Sequence, residues 1–438
     1  MTSEIVRIIV GNIIHCSKQY EINTIEKGFI MVLGNKILAV DNELALEEVK
    51  SRLNLTDHET EKIVLKESQI LIPGLIDTHI HAPQYPNCGL GYDKPLLEWL
   101  DIYTYKLEKR YRNQEFAKKV FNAVVRKTLD HGTTTACYFA SLFENSSIAL
   151  VDAAIKHGQR AFVGKINMTT LAPDDYIETP SESIKTTKKF IEDVKAKKND
   201  LVQPIITPRF ALSVDMDLMK ELGKIAKEQD LHIQTHICEN LDEIRLVKEK
   251  YNLLYAKVYD EANLLTSKTV LAHGIYLTED ELKLLAQRGT SVSHCPESNT
   301  CLKSGLCDVK KLIAAGVKVG LGTDVSGGPS PSIVSAMKAA LDTSVHISFN
   351  KENYTPMTYA DVFYLATLGG AEALALEDKT GNFEAGKDFD ALIIDMDIEN
   401  SSVDYLLGCK PDEILQKFIY FGDDRNVLNV FVAGKRVK

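Results

Sequence analysis

Two histidines separated by one residue, His79 and His81, close an apolar run of the chain at residues 71–81. Side chains at positions i and i+2 of a β-strand project from the same face, so both imidazole rings can reach one metal ion. The run before them is typical of a strand buried on both faces, as strands of a parallel α/β sheet are. The pair therefore indicates a metal site at a strand end, and such a site needs further ligands elsewhere in the chain.

Three more residues with metal-binding side chains, His236, His273 and Asp324, end later apolar segments. Neutral imidazole and carboxylate groups suit a borderline cation such as Zn²⁺, and iron binds the same set of atoms. The eight cysteines show no Cys-x-x-Cys spacing, which argues against a thiolate zinc site and against a disulfide scaffold. We predict that these five residues form a site for one metal ion, with three imidazoles and a carboxylate as ligands and a further histidine nearby.

Eight strand-like segments must position these residues, at 71–81, 134–139, 160–166, 202–210, 231–237, 269–274, 291–295 and 318–324. Helix-like sequence separates most of them, and eight strands alternating with helices predict an α/β fold, a TIM-like (β/α)8 barrel. Functional side chains of such barrels lie at the carboxyl ends of the strands, where the candidate ligands fall. By contrast, His232 lies in mid-strand and is expected to be a core residue, whereas His294 is consistent with either a core or a functional role.

The barrel, as the metal-dependent domain, is predicted to span residues 71–380. The flanking segments, residues 1–70 and 381–438, are rich in strands but too short and too open-edged to form separate domains. We therefore predict one small β-sandwich domain built from both termini, beside the barrel.

Glu239 lies three residues after His236, a spacing that puts the two side chains on opposite faces of an ideal strand. If the strand ends near Ile237 and turns, the carboxyl group of Glu239 can shuttle a proton between a metal-activated water and the substrate. Asp324 is expected to accept the proton of that water, and His273 to orient it. These three residues are the predicted catalytic groups.

A metal-activated water serves amide hydrolases and deaminases alike. Two-metal hydrolases of this architecture commonly bridge their metal ions through a carboxylated lysine on strand four, and residues 202–210 contain no lysine. Lys165 is one strand too early and is expected to be an ordinary residue at a strand end. We therefore predict one metal ion per chain.

Arg209 stands at the end of the fourth strand, where its planar fork of donors suits the O6 and N7 atoms of a purine. Gln84 offers an amide that both donates and accepts, so the two residues together suit guanine rather than adenine. Phe210 and Trp99 are candidates for the apolar faces around a flat ring. Trp99 belongs to a long connection after residue 81 that either covers the barrel mouth or simply packs as a helix.

Composition limits the class of protein. The chain has 438 residues, 45% of them hydrophobic, and its 51 basic against 61 acidic residues give a net charge of −10. This charge and the absence of a basic tract disfavour a nucleic-acid polymer as partner. We expect a cytoplasmic protein without a membrane segment, because no apolar run reaches the ~20 residues that a membrane helix needs.

Several motifs resemble the amidohydrolase superfamily in its one-metal deaminase branch; they lie at residues 73–81, 236–239, 272–274, 293–296 and 322–324. Further stretches are similar to the members of that branch that act on guanine; they lie at residues 95–100, 132–139, 158–164, 207–210 and 421–425. The resemblance covers nearly the whole chain. It implies hydrolytic deamination of free guanine to xanthine and ammonia, with one zinc ion per chain and a homodimeric assembly.

Residue by residue, the resemblance assigns the metal and its water to His79, His81, His236 and Asp324, with His273 in the same cluster, proton shuttling to Glu239, and the purine to Gln84, Arg209 and Phe210. The chain departs from the pattern at Pro83, where a small polar residue is usual, and at Glu297, where an amide is usual. Pro329 and Pro331 stiffen the loop after Asp324. None of these departures removes a ligand.

Two alternatives remain at this point. The same metal core could serve a deaminase of a pterin, a triazine or another aminoazine, since only Gln84 and Arg209 argue for guanine. A non-catalytic scaffold is the other, but such a protein need not keep its metal ligands, and this chain carries the complete set.

Overall fold

The computed structural model describes residues 5–55 and 59–438. Residues 1–4, at the start of the predicted β-sandwich, lie outside this range. The strands are β1 (Val6–Lys18), β2 (Glu21–Leu33), β3 (Lys36–Asn42), β4 (Thr60–Val64), β5 (Gln69–Pro73), β6 (Leu75–His81), β7 (Thr133–Phe139), β8 (Arg160–Gly164), β9 (Ile166–Asn167), β10 (Val202–Pro208), β11 (His232–Ile237), β12 (Thr269–His273), β13 (Ser291–His294), β14 (Val319–Leu321), β15 (Ala391–Asp395), β16 (Val427–Val432) and β17 (Lys435–Arg436).

The α-helices are α1 (Leu46–Arg52), α2 (Leu96–Trp99), α3 (Tyr105–Glu108), α4 (Gln114–Asp130), α5 (Glu144–His157), α6 (Pro180–Ala196), α7 (Met216–Gln229), α8 (Leu241–Tyr251), α9 (Tyr255–Glu261), α10 (Glu279–Arg288), α11 (Pro296–Cys301), α12 (Val309–Ala314), α13 (Ile333–Ser348), α14 (Tyr359–Ala366), α15 (Leu368–Ala373) and α16 (Pro411–Phe421). Among the described residues, no helix is both long enough and apolar enough to cross a bilayer.

The predicted barrel is confirmed. In the described part of the chain, eight parallel strands lie side by side in the order β6, β7, β8, β10, β11, β12, β13 and β14. Backbone hydrogen bonds join the first and last of these strands at their carboxyl ends: Asp324 N donates to His79 O (2.9 Å), and His81 N donates to Val325 O (3.1 Å). Because the ring closes there, residues distant in sequence face one another across the barrel mouth.

Local sequence signals explain the barrel-wall helices. The side chain of Asn113 caps α4 by accepting hydrogen bonds from Glu115 N (2.9 Å) and Phe116 N (3.1 Å). The buried face of α4 includes Phe121 and Val124, as its apolar periodicity predicts. Gly132 follows the helix with a φ of +88°, a conformation that glycine adopts at little cost.

A second sheet, largely antiparallel, is built from both ends of the chain, as predicted. Its order is β17, β16, β15, β5, β1, β2 and β3, with β4 pairing in parallel with β1. Ile37 and Phe431, from opposite ends of this order, belong to one buried cluster, so the sheet bends over itself and encloses a core. Arg160 of β8 forms buried ion pairs with Asp388 (3.0 Å) and Asp390 (3.1 Å), which fasten the segment before β15 to the barrel. The domain limits 1–70, 71–380 and 381–438 stay a prediction.

The connection between β6 and α4 carries a helical run over residues 96–112. It consists of α2, a π-helical turn at Leu100–Thr104, α3 and a 3-10 turn at Lys109–Arg112. Trp99 is buried in this run, and its indole N–H donates to Leu90 O (2.9 Å). Because Trp99 also packs against Leu302, which follows β13, the run reaches across the barrel mouth.

Candidate active site

Four side chains meet at the carboxyl ends of the barrel strands. His79 and His81 come from β6, His236 from β11, and Asp324 from the segment after β14, and their ligand atoms all lie within 4.8 Å of one another. His81 Nε2 is 3.1 Å from His236 Nε2, and Asp324 Oδ1 is 3.2 Å from His79 Nε2 and 3.4 Å from His81 Nε2. The structure therefore brings together the four residues that the sequence nominates as ligands.

The protonation states of this cluster suit a cation. Burial lowers the pKa of His79, and it lowers the pKa values of His81 and His236 still further, so all three rings are neutral at neutral pH. Burial favours the neutral form of Asp324, but the interactions of this carboxyl with His79 and His273 outweigh burial and hold its pKa well below the usual value.

Hydrogen bonds outside the cluster orient its rings. His236 Nδ1 donates to Arg209 O (2.6 Å), which leaves the lone pair of its Nε2 directed at the other ligands. His79 Nε2, although 3.2 Å from Asp324, lacks a hydrogen bond of good geometry. Imidazole lone pairs that converge on a carboxylate are mutually repulsive unless a cation lies between them, so the donor set fits one metal ion.

Glu239 reaches the cluster through the turn that its spacing requires. β11 ends at Ile237, and Cys238 adopts a left-handed conformation with φ of +50°, so the backbone turns before Glu239. Glu239 Oε2 lies 3.4 Å from His273 Nε2, and Ser304 Oγ donates to Glu239 Oε1 (3.1 Å). Burial raises the pKa of Glu239 to about 7, so this carboxyl can both take up and release a proton near neutral pH.

His273 stands between Glu239 and Asp324. Its Nδ1 donates to Asn299 Oδ1 (2.9 Å), and its Nε2 lies 3.8 Å from Asp324 Oδ2. Burial lowers the pKa of His273, but the two neighbouring carboxylates outweigh burial and raise it above the ordinary value. The ring can therefore carry a positive charge between the two carboxylates.

A cavity of about 490 Å³, including its open mouth, adjoins the cluster. Its lining joins His81, His236, Glu239, His273 and Asp324 to the predicted substrate residues Gln84, Trp99, Arg209 and Phe210. Trp99 thus both packs in a helix and lines the site, so the two interpretations of this residue are compatible.

Glu108, which the sequence analysis missed, holds the predicted substrate residues together. Arg209 Nη1 donates to Glu108 Oε2 (2.6 Å) and its Nη2 to Glu108 Oε1 (3.2 Å), while Gln84 Nε2 donates to the same Oε1 (3.0 Å). Glu108 lies three residues from both Tyr105 and Tyr111, which are buried, so a charged residue on an apolar helix face was the available signal.

Asp77 is a second residue that sequence reasoning did not assign. It is fully buried in β6, where its Oδ1 accepts from His79 N (3.1 Å) and from Thr323 N (3.1 Å). These bonds tie the ends of β6 and β14 to each other. Asp77 thereby fixes the spacing between the ligands of the first strand and Asp324.

The other buried histidines do not join the cluster. His232 Nε2 donates to Leu374 O (2.9 Å), at the opposite end of β11 from His236, which agrees with a core role. His294 is fully buried, and burial lowers its pKa to about 3, so it is neutral.

Lys165 pairs with Glu178 (2.7 Å) and does not line the cavity, in agreement with a structural role.

The comparison with known proteins identifies the family, because the model of the amidohydrolase family matches residues 70–437. The chain belongs to the amidohydrolase family. This amidohydrolase is 42% identical to a guanine deaminase from Dictyostelium discoideum, over 100% of its own chain and 99% of that protein. It is 48% identical to a guanine deaminase from Homo sapiens, over 85% of its own chain and 84% of the human protein.

Solved structures agree with this assignment. The crystal structure of guanine deaminase from C. acetobutylicum with bound guanine in the active site is 34% identical, with a TM-score of 0.90 over 99% of this amidohydrolase and 100% of that chain. Family membership and the cluster of three histidines and one aspartate together imply a bound metal ion.

We expect the stability of this amidohydrolase to depend on pH because of Glu297, one of the departures from the family pattern. Burial raises its pKa to about 7, and its Oε1 accepts from Ser335 Oγ (2.6 Å). The pKa of Glu297 is higher in the folded protein than in the unfolded chain, so the folded state favours the protonated carboxyl. Its contribution to the free energy of unfolding is complete below about pH 4.3 and is lost as the pH rises through 7, a change of up to ~3 kcal/mol. Glu297→Gln should therefore unfold at a higher temperature than the wild type at pH 8.

Thermal unfolding midpoints of both proteins, measured from pH 5 to pH 8, check this prediction. The advantage of the variant should grow with pH. A constant difference across this range would show that Glu297 keeps its charge in the folded protein.

Proposed function

We propose that this protein catalyses the hydrolytic deamination of free guanine to xanthine and ammonia. The observation that carries the proposal is the composition of the cavity. It is lined by the metal-binding cluster and Glu239 and also by Arg209 and Gln84, which are both held by Glu108. The guanine deaminases similar to it over nearly their whole length support the same reaction. Water supplies the oxygen that replaces the amino group at C2, so guanine and water give xanthine and ammonia.

We propose that His79, His81, His236 and Asp324 hold one zinc ion per chain. A zinc ion bound there supplies Lewis acidity, which makes a water molecule a nucleophile at neutral pH. Asp324 accepts a proton from the attacking water. His273, fixed by Asn299, donates a hydrogen bond that orients this water.

Glu239 moves the proton between water and substrate. With a pKa near 7, its carboxyl delivers a proton to the ring nitrogen beside C2 as the carbon becomes tetrahedral. Asp324 then passes the proton of the water to the amino group, which leaves as ammonia. The hydroxyl group on C2 returns its remaining proton to Glu239 as it becomes the carbonyl of xanthine. The two carboxyl groups have separate tasks because burial raises the pKa of Glu239, whereas the adjoining imidazoles lower that of Asp324.

Arg209 and Gln84 recognise the guanine edge that carries a carbonyl beside a ring N–H. The guanidinium donates to the carbonyl oxygen, and the amide of Gln84 pairs with the neighbouring ring atoms. Phe210 and Trp99 enclose the faces of the ring with apolar surface. Guanine is thus recognised through its carbonyl oxygen, while its C2 amino group points to the metal-binding cluster.

The direct test is an ultraviolet assay of the purified protein with guanine, with the metal content of the same sample measured by elemental analysis. We expect xanthine and ammonia in equal amounts, and about one zinc ion per chain. If zinc is bound and guanine is not converted, the assignment of guanine is wrong. A triazine or pterin that is deaminated with a kcat/KM ~10-fold higher than guanine would move the substrate to another aminoazine.

Arg209→Ala should lower kcat/KM for guanine by ~10- to 100-fold, mainly through a higher KM. The reason is that the change removes a charged hydrogen-bond donor from the recognition edge, which is the pair of side chains Gln84 and Arg209. Steady-state kinetics with metal analysis check this prediction. The metal content should not change, since the side chain of Arg209 does not belong to the cluster. An unchanged kcat/KM would mean that the substrate binds elsewhere.

We also propose that the enzyme works in the cytoplasm as a homodimer, with the free base rather than a nucleic-acid polymer as substrate. The eight cysteines, all of which the structure describes, are unpaired, as is usual in a reducing compartment. The net charge of −10 disfavours a polymer of phosphates. The homodimer is supported by the family resemblance, and light scattering of the purified protein tests it.

A further inference from the structure

Glu108 occupies an unusual position for a carboxylate. It is 1% exposed, at the end of α3, and it faces two buried side chains of the recognition edge, Gln84 and Arg209. Tyr176 donates a further hydrogen bond to its Oε2 (2.9 Å). A carboxylate is rarely buried this fully unless its partners neutralise and orient it.

The hydrogen bonds of Glu108 leave little capacity for a ligand. A carboxylate accepts about four hydrogen bonds, and Glu108 already accepts four: two from Arg209, one from Gln84 and one from Tyr176. Glu108 also does not line the cavity. Its effect on a substrate must therefore pass through the residues that it holds.

The orientation of Gln84 follows from these bonds. Its amide nitrogen donates to Glu108 (3.0 Å), while its amide oxygen accepts from Ser326 N (3.2 Å). The two ends of the amide are thereby distinguished, which leaves one N–H and one lone pair in known places. Without Glu108, only the single bond from Ser326 N would hold the amide in this orientation.

Glu108 also fixes the plane and balances the charge of Arg209. Two N–H···O bonds hold the guanidinium, and Arg209 lines the cavity, where its remaining N–H groups can donate to a ligand. Because the ion pair is buried and compensated, the recognition edge offers directed donors without a net positive charge. Such an edge suits a neutral base that carries a carbonyl group rather than an anion.

We propose that Glu108 is a positioning residue that sets the preference of this site for 6-oxopurines. The inference rests on the proposed function, since it assumes that Gln84 and Arg209 bind the purine. Glu108 also lies in the same helical run, residues 96–112, as Trp99. The residue that orders the recognition edge and the residue that covers the ring are therefore parts of one segment.

The test compares two ligands that differ in the groups that they offer to Gln84 and Arg209. Hypoxanthine carries the 6-oxo group and the N1–H but lacks the amino group at C2, whereas purine lacks all three. Their dissociation constants are measured by calorimetry with the metal-loaded wild type and with Glu108→Gln. We expect Glu108→Gln to weaken hypoxanthine binding by ~10- to 100-fold, the range for hydrogen bonds to charged groups, and purine binding by less than ~3-fold.

Two further variants make the result decisive. Glu108→Asp keeps the charge on a shorter side chain and should restore part of the preference for hypoxanthine. If the glutamine variant does not fold, Glu108→Asp replaces it, and we then expect a smaller loss that still affects hypoxanthine more than purine. Glu178→Gln is the matched control, because Glu178 pairs with buried Lys165 at the same end of the barrel but outside the cavity. It should leave both dissociation constants within ~2-fold of the wild type.

An equal loss of hypoxanthine and purine binding, or no loss of either, would overturn the positioning role. So would a wild type that binds the two ligands equally well. A failure of the proposed function would look different, because the wild type would then bind zinc and leave guanine unconverted, whatever the binding ratio of the variants.

Discussion

Glu239→Gln should lower kcat for guanine by ~10²- to 10⁴-fold while the protein keeps its metal ion. The amide fills the same space and can still accept from Ser304, but it cannot deliver a proton to the ring nitrogen. Because Glu239 does not belong to the cluster of ligand atoms, its replacement should not release the metal. Steady-state kinetics and elemental analysis of the same preparation check both parts of this prediction.

Glu297→Gln is the matched control for this experiment. Glu297 is also a buried carboxyl whose pKa is raised to about 7, but it pairs with Ser335 outside the cavity. Its replacement should change kcat by less than ~3-fold, because Glu297 lies outside the cavity and its effect should be independent of the reacting atoms. Normal turnover by Glu239→Gln would refute the proton-shuttle role, and loss of metal from that variant would make Glu239 part of the metal site.

His236→Gln should remove most of the bound metal and lower kcat/KM by at least ~10³-fold. The reason is that the Lewis acid contributes several kcal/mol to the transition state, and each 1.4 kcal/mol is worth about tenfold in rate. His236 presents its Nε2 to the other ligands because its Nδ1 is bonded to Arg209 O (2.6 Å). Metal content after dialysis, and activity with and without added zinc, are the measurements.

His232→Gln provides the same substitution on the same strand. His232 lies at the opposite end of β11, where it contacts Leu374 O (2.9 Å) rather than the cluster. This control should keep its metal and most of its activity, although its stability can fall. Full metal content in His236→Gln would show that the cation is held by a different set of residues.

Much of this architecture could be predicted from the sequence because its signals are local. The eight barrel strands are short apolar segments whose pattern differs from that of the amphipathic helices between them, as in α4. His79 and His81 reveal a shared face through their spacing alone. The remaining ligands could be nominated because a parallel barrel brings every carboxyl strand end to one mouth.

The sequence by itself thus determined the alternation of strands and helices, the residue types available for metal binding, and their places at strand ends. Only the tertiary structure decided how these groups are held. Glu108 meets Arg209 across 101 residues of chain, and Asp77 meets Thr323 across 246. No periodicity encodes such pairings, because they depend on how the barrel closes and on where a long connection folds back over its mouth. A buried charge gives no local signal of its partner, and the partner is fixed only when the whole core packs.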